Sequence, residues 1–104
     1  MRAPELVVTR AVVEDMVRLA AEEVPGVLRV GRGGPPWDSA FRGAAVRVRL
    51  EAGRATVHVV LIARPSHSLV TVSSQVRAAV TSACERLLGL DAASVSVLVD
   101  GVGG

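Results

Sequence analysis

The segment "AAVRVRLEAGRATVHVVLIA", residues 44–63, constrains the fold more than any other part of the chain. Val46, Val48 and Leu50 alternate with Arg47, Arg49 and Glu51. That period of two turns successive side chains to opposite faces of a strand. Gly53 supplies a turn, and Ala55, Val57, Val59 and Leu61 then form one face of a returning strand. The pattern predicts a β-hairpin with one apolar face committed to a core. The other face of the second strand is Thr56, His58, Val60 and Ile62, so it starts polar and ends apolar.

An apolar sheet face must be covered by another layer, and the chain offers two helices for it. In residues 9–24, Thr9 is placed to cap the first turn, and Glu14 and Asp15 lie early, where the helix dipole favours anions. Val13, Met16, Val17, Ala20 and Val24 fall on one stripe, and Pro25-Gly26 stops the helix. The second helix is capped by Ser68 and ends at Gly89, with Arg86 in its last turn. Its apolar stripe is Leu69, Val72, Val76, Ala79, Val80, Ala83 and Leu87. About twenty helical residues span ~30 Å, as do about nine strand residues, so this helix can run along the whole hairpin. Alternation through Val95, Val97 and Val99 adds a last strand, and "ELVV" (5–8) and "VLRV" (27–30) add two short ones. The expected fold class is α+β: a two-layer sandwich in which a small mixed or antiparallel β-sheet carries both helices on one face. No repeat or composition shift divides the chain, so residues 1–104 are expected to form one domain.

Charge and hydropathy exclude several classes of function. The longest apolar run is "VVLIA", residues 59–63, against the ~18–20 residues a membrane span needs. "MRAPELVVTR" has no secretory-signal pattern. The expected location is cytoplasmic, with any membrane association passing through a partner. The formal net charge is +2, and the arginines (Arg10, Arg18, Arg29, Arg47, Arg49, Arg64, Arg77 and Arg86 among them) are scattered along the chain. A nucleic-acid binder shows a clustered basic face, so nucleic acid is not an expected partner.

No catalytic or metal constellation emerges. Cys84 is the only cysteine, which excludes an internal disulfide, and it lies late in its helix, where the dipole disfavours a thiolate. His58 and His67 read as one surface residue on a strand and one in a loop. Glu14-Asp15 and Glu22-Glu23 are adjacent on a helix and diverge, so each reads as a solvated charge. Residues 31–43, "GRGGPPWDSAFRG", hold Trp37 and Phe41, both aromatic residues of the chain. Gly31-Arg32-Gly33 begins a dinucleotide-binding pattern, but Pro36 stands where the third glycine would be and a hairpin follows instead of a helix. A P-loop needs a lysine, and the chain has none. The loop therefore reads as a mobile tether or partial cover in preference to a ligand loop, with Trp37 and Phe41 as its candidate contacts. No cofactor or metal is expected.

Several of these pieces, taken in order, resemble the alkaline shock protein family of bacterial envelope stress response proteins. The first helix ends in Glu23-Val24-Pro25-Gly26-Val27, and a Gly-rich loop and a Val-rich hairpin follow. The second helix closes in Gly89-Leu90, and Val95-Ser96-Val97 lies in the last strand. The resemblance covers roughly residues 7–102. It departs at Ser68-Leu69-Val70, where the family often has Asn-Ile-Pro, although Ser68 replaces Asn as a cap. The resemblance implies a non-enzymatic cytoplasmic protein linked to envelope stress or homeostasis, in some relatives held at the inner membrane surface by a membrane-anchored partner. The alternative it leaves is a regulatory domain that binds a lipid-synthesis enzyme or nucleic acid. Because two helices cover only one sheet face, His58, Val60, Ile62 and Leu98 form the candidate interaction surface, and a homo-oligomer is expected.

Overall fold

The computed structural model describes residues 9–35 and 43–103. Helix α1 spans Arg10–Glu22 and leads into strand β1, Val27–Val30. The hairpin follows as β2, Val46–Glu51, and β3, Arg54–Ala63. Helix α2, Leu69–Leu87, then crosses to strand β4, Asp91–Val102. The expected "ELVV" strand lies outside the described residues.

Local chemistry sets the element ends. The Thr9 hydroxyl accepts from the Val12 amide at 3.3 Å, and Ser68 accepts from the Thr71 amide at 3.3 Å, so both N-caps form as expected. Glu14 falls in the second turn of α1, where it pairs with Arg10 at 3.6 Å instead of stabilising the helix start. The hairpin closes through Ala52 (φ 49°) and Gly53 (φ 76°) between the paired residues Glu51 and Arg54. Two left-handed residues in succession make a turn whose twist matches the strands.

The sheet is mixed and centred on β3. Strand β2 runs antiparallel to residues 54–59 of β3, and β1 runs antiparallel to residues 61–63. Strand β4 lies parallel to β3 along its whole length, with Arg54 beside Asp91 and Ala63 beside Val102. The α2 crossover supplies the long connection that a parallel pair requires. Both helices pack on one sheet face. Val13, Val17 and Ala21 of α1 and Val72, Val76, Val80 and Cys84 of α2 join Val46, Val48 and the odd-numbered β3 residues from Ala55 to Ala63 in one core. The ends of the predicted α2 stripe stay outside it: Leu69 is 43% exposed and Leu87 is 65% exposed.

The motif between α1 and β1 owes its glycine to packing. Gly26 is buried, and a Cβ built on it would collide with Cγ2 of Val72 and lie 3.3 Å from the His67 ring. Val72 is short, β-branched and wholly buried, so it has little freedom to withdraw. Gly26→Ala is expected to destabilise the fold by about 1–3 kcal/mol through overpacking. Urea unfolding checks this, and a Gly26→Ala midpoint equal to the parent's would show that α2 shifts without cost.

Candidate functional site

The outer face of the sheet is less open than its alternation suggests. Val60 is 0% exposed and Ile62 is 5% exposed, yet both stand apart from the helix-facing core. The expectation that they form a bare apolar patch is therefore corrected. Ile62 is covered by backbone from two remote segments: a Cβ built on Gly33, Gly101 or Gly103 would lie 3.5, 3.4 or 3.6 Å from its methyl groups. Leu98, opposite Val60 on β4, remains 43% exposed, and Val102 is 55% exposed. His58 is half-buried, its Nδ1 lying 2.7 Å from the Ser96 hydroxyl on β4. On the outer face His58 and Leu98 therefore stay accessible, while Val60 and Ile62 belong to the interior.

Val60 is also where the glycine-rich loop leaves and rejoins the sheet. The Val60 N–H donates to the Ala45 carbonyl at 2.8 Å, and its own carbonyl accepts from the Gly31 amide at 2.9 Å. The two feet of the loop therefore meet on one residue of β3. Beyond them, the Gly33 amide donates to Oδ2 of Asp100 at 2.7 Å, and Arg32 Nε donates to the Gly43 carbonyl at 3.1 Å. Residues 31–35 of the loop are held to the rest of the molecule by these bonds. Trp37 and Phe41 lie outside the described residues.

The neck of this loop gathers charges from a helix, a strand and the loop itself. Arg18 of α1, Arg29 of β1 and Arg32 line a cleft of about 690 Å³ whose walls include Gly31, Gly33 and Gly43. Arg47 reaches the same rim, its guanidinium lying against Gly43. Scatter along the chain concealed this grouping, and only the Gly-rich setting of Arg32 pointed to it.

On β4, no strand among the described residues pairs with the edge away from β3, and the Val95 carbonyl accepts from Arg77 Nε at 3.2 Å. A long strand edge of this kind is a template for pairing with another strand. Among the described residues no group of three His, Cys, Asp or Glu side chains is placed to hold a metal ion, and no helix is long and apolar enough to cross a membrane.

A model of the alkaline shock protein 23 family, described as having a cell envelope-related function, matches residues 2–103. The chain belongs to this family. The expected resemblance holds, and the fold of this alkaline shock protein family member is similar to solved structures of the MamM CTD. A copper form of a MamM CTD variant superposes with a TM-score of 0.64 at 21% identity, over 89% of this chain and 98% of that one. A manganese form gives 0.63 at 21% identity, over 89% and 99%, and a nickel form gives 0.62 at 20%, over 88% and 96%. Likeness at that identity shows the fold alone. No significant match is found among curated proteins.

Cys84 is wholly buried. Burial pushes its thiol pKa up, and the neighbouring Glu85 carboxylate adds to the shift. A raised folded pKa gives stability that is complete below the unfolded value, 9.0, and is lost as the pH rises through the folded value. The chain has no Lys or Tyr to titrate in the same range. Urea unfolding is therefore expected to show stability falling above about pH 9, with Cys84→Ala flattening that slope. An unchanged slope in Cys84→Ala would place the alkaline sensitivity elsewhere.

Proposed function

We propose that the protein is a non-enzymatic, cytoplasmic interaction module serving envelope stress or homeostasis, and that it works as a self-associating scaffold. The family match supports the envelope role. The observation that carries self-association is the edge of β4, a strand of twelve residues that presents exposed Leu98 on the outer face. Two copies of one strand pair antiparallel about a two-fold axis, so a single edge is complementary to itself. Backbone hydrogen bonds along the edge would supply affinity, and Leu98 and His58 on the outer face would supply apolar area and register. A membrane-anchored protein is the further partner of this reading, and it would bring the chain to the inner membrane surface.

Light scattering at high micromolar concentration tests the edge directly. The parent is expected to run as a dimer or larger assembly. Leu98→Arg is expected to weaken association at least tenfold with its helix content intact, because Leu98 is half-exposed and lies outside the core. Leu19→Arg, on the exposed side of α1, should leave the assembly unchanged. A monomeric parent, or dissociation by Leu19→Arg alone, would contradict the β4 assignment.

A further inference from the structure

The geometry points to a phosphomonoester-binding site in the arginine cleft at the neck of the glycine-rich loop. Three features make the cleft more than a set of surface charges.

First, its guanidinium groups are held. Arg18 lies on a helix with Glu14 four residues before it and Glu22 four residues after, the usual positions for an ion pair. It turns away from both, and its NH1 donates to the Val30 carbonyl at 3.2 Å. Arg29 NH2 donates to the Arg32 carbonyl at 3.3 Å, and Arg32 Nε to the Gly43 carbonyl. Each guanidinium has five N–H donors in a rigid fork, so one bond anchors it and the rest remain for a ligand.

Second, the positive charge is uncompensated among the described residues. None of Arg18, Arg29, Arg32 and Arg47 has a carboxylate within 4.0 Å among the described residues, whereas Arg10, on the same helix, is paired with Glu14. Asp100 is turned to the Gly33 amide at the back of the loop. Arginines brought to one cleft without counter-charge repel one another, and a bound anion removes that penalty.

Third, the wall suits a tetrahedral anion. Arg29 lies over Gly31 and Arg47 over Gly43, and a Cβ on either glycine would occupy the guanidinium's place. Gly31, Gly33, Gly34 and Gly43 put no side chain into the cleft. A planar carboxylate is satisfied by one arginine fork, whereas a phosphate has three terminal oxygens to share among forks that converge from a helix, a strand and a loop. About 690 Å³ exceeds the needs of inorganic phosphate and falls within the usual range for small ligands, so the phosphate would carry an organic group. That group belongs either to a soluble phosphomonoester or to a phospholipid headgroup.

The test is an NMR titration of the full chain with glycerol 3-phosphate, paired with co-sedimentation on phosphatidylcholine vesicles with and without phosphatidic acid. Glycerol 3-phosphate is expected to give saturable amide shifts at Gly31, Arg32 and Ala44, weakening as salt screens the exposed charges. The double variant Arg29→Gln/Arg32→Gln should bind at least tenfold more weakly, and Arg54→Gln, on the hairpin turn, within twofold of the parent. Arg18→Gln, a single change on the exposed side of α1, should weaken binding severalfold and covers the case of a misfolded double variant. Phosphatidic acid-dependent sedimentation that the arginine variants lose assigns the headgroup. Saturation by glycerol 3-phosphate without sedimentation assigns a soluble ligand. Absence of saturation up to about 10 mM together with absence of sedimentation, or equal binding by Arg18→Gln and the double variant, would overturn the site.

Discussion

Everything on the open side of this molecule depends on two hydrogen bonds made by one residue. Val60 sits where β2 ends and β1 begins along the same edge of β3, giving its N–H to Ala45 and taking the Gly31 amide on its carbonyl. A strand edge is ordinarily filled by one partner. Here two short strands share it end to end. Because both feet of the glycine-rich loop are set in the ladder, what stands beside them (Arg18, Arg29, Arg32 and the rim at Gly43) is positioned by the sheet.

The helical side answers to a different constraint. The odd-numbered residues of β3 face two helices that also touch each other, and the layer closes over Val57, Val59 and Leu61 without a buried polar side chain among the described residues. Close approach of α2 to the end of α1 is what makes Gly26 a packing residue. The same density isolates Cys84 from water and from chemistry. With the core wholly apolar, the chemically active groups of the protein are left to the loop neck and to the sheet edge.

How much of this was legible in the sequence follows from the range of the interactions involved. The hairpin, both N-caps and the α2–β4 unit are written in periods and spacings of a few residues, and they were readable for that reason. The α2 stripe was read too long, because periodicity reports a face and says nothing of where the partner layer stops, so Leu69 and Leu87 stand outside. Val60 and Ile62 were read as exposed since the count of helices left one face bare. Their cover comes from Gly33, Gly101 and the strand junction, none of them near in sequence. The arginine cleft was hidden because Arg18 meets Arg29 and Arg32 only once α1 folds back along β1. Of the surface first expected, His58 and Leu98 remain.

The loop neck is built into the sheet at Val60, and amide hydrogen exchange is the test of this. Exchange of a ladder amide requires the ladder to open, whereas an amide in a merely apposed loop exchanges through small local motions. The account predicts that the Gly31 and Val60 amides exchange as slowly as those of Val57 and Val59 in the middle of β3. Rapid exchange at Gly31 with protection retained at Val57 would contradict it, since the feet of the loop would then be resting on the sheet and the arginine cleft would have no fixed frame.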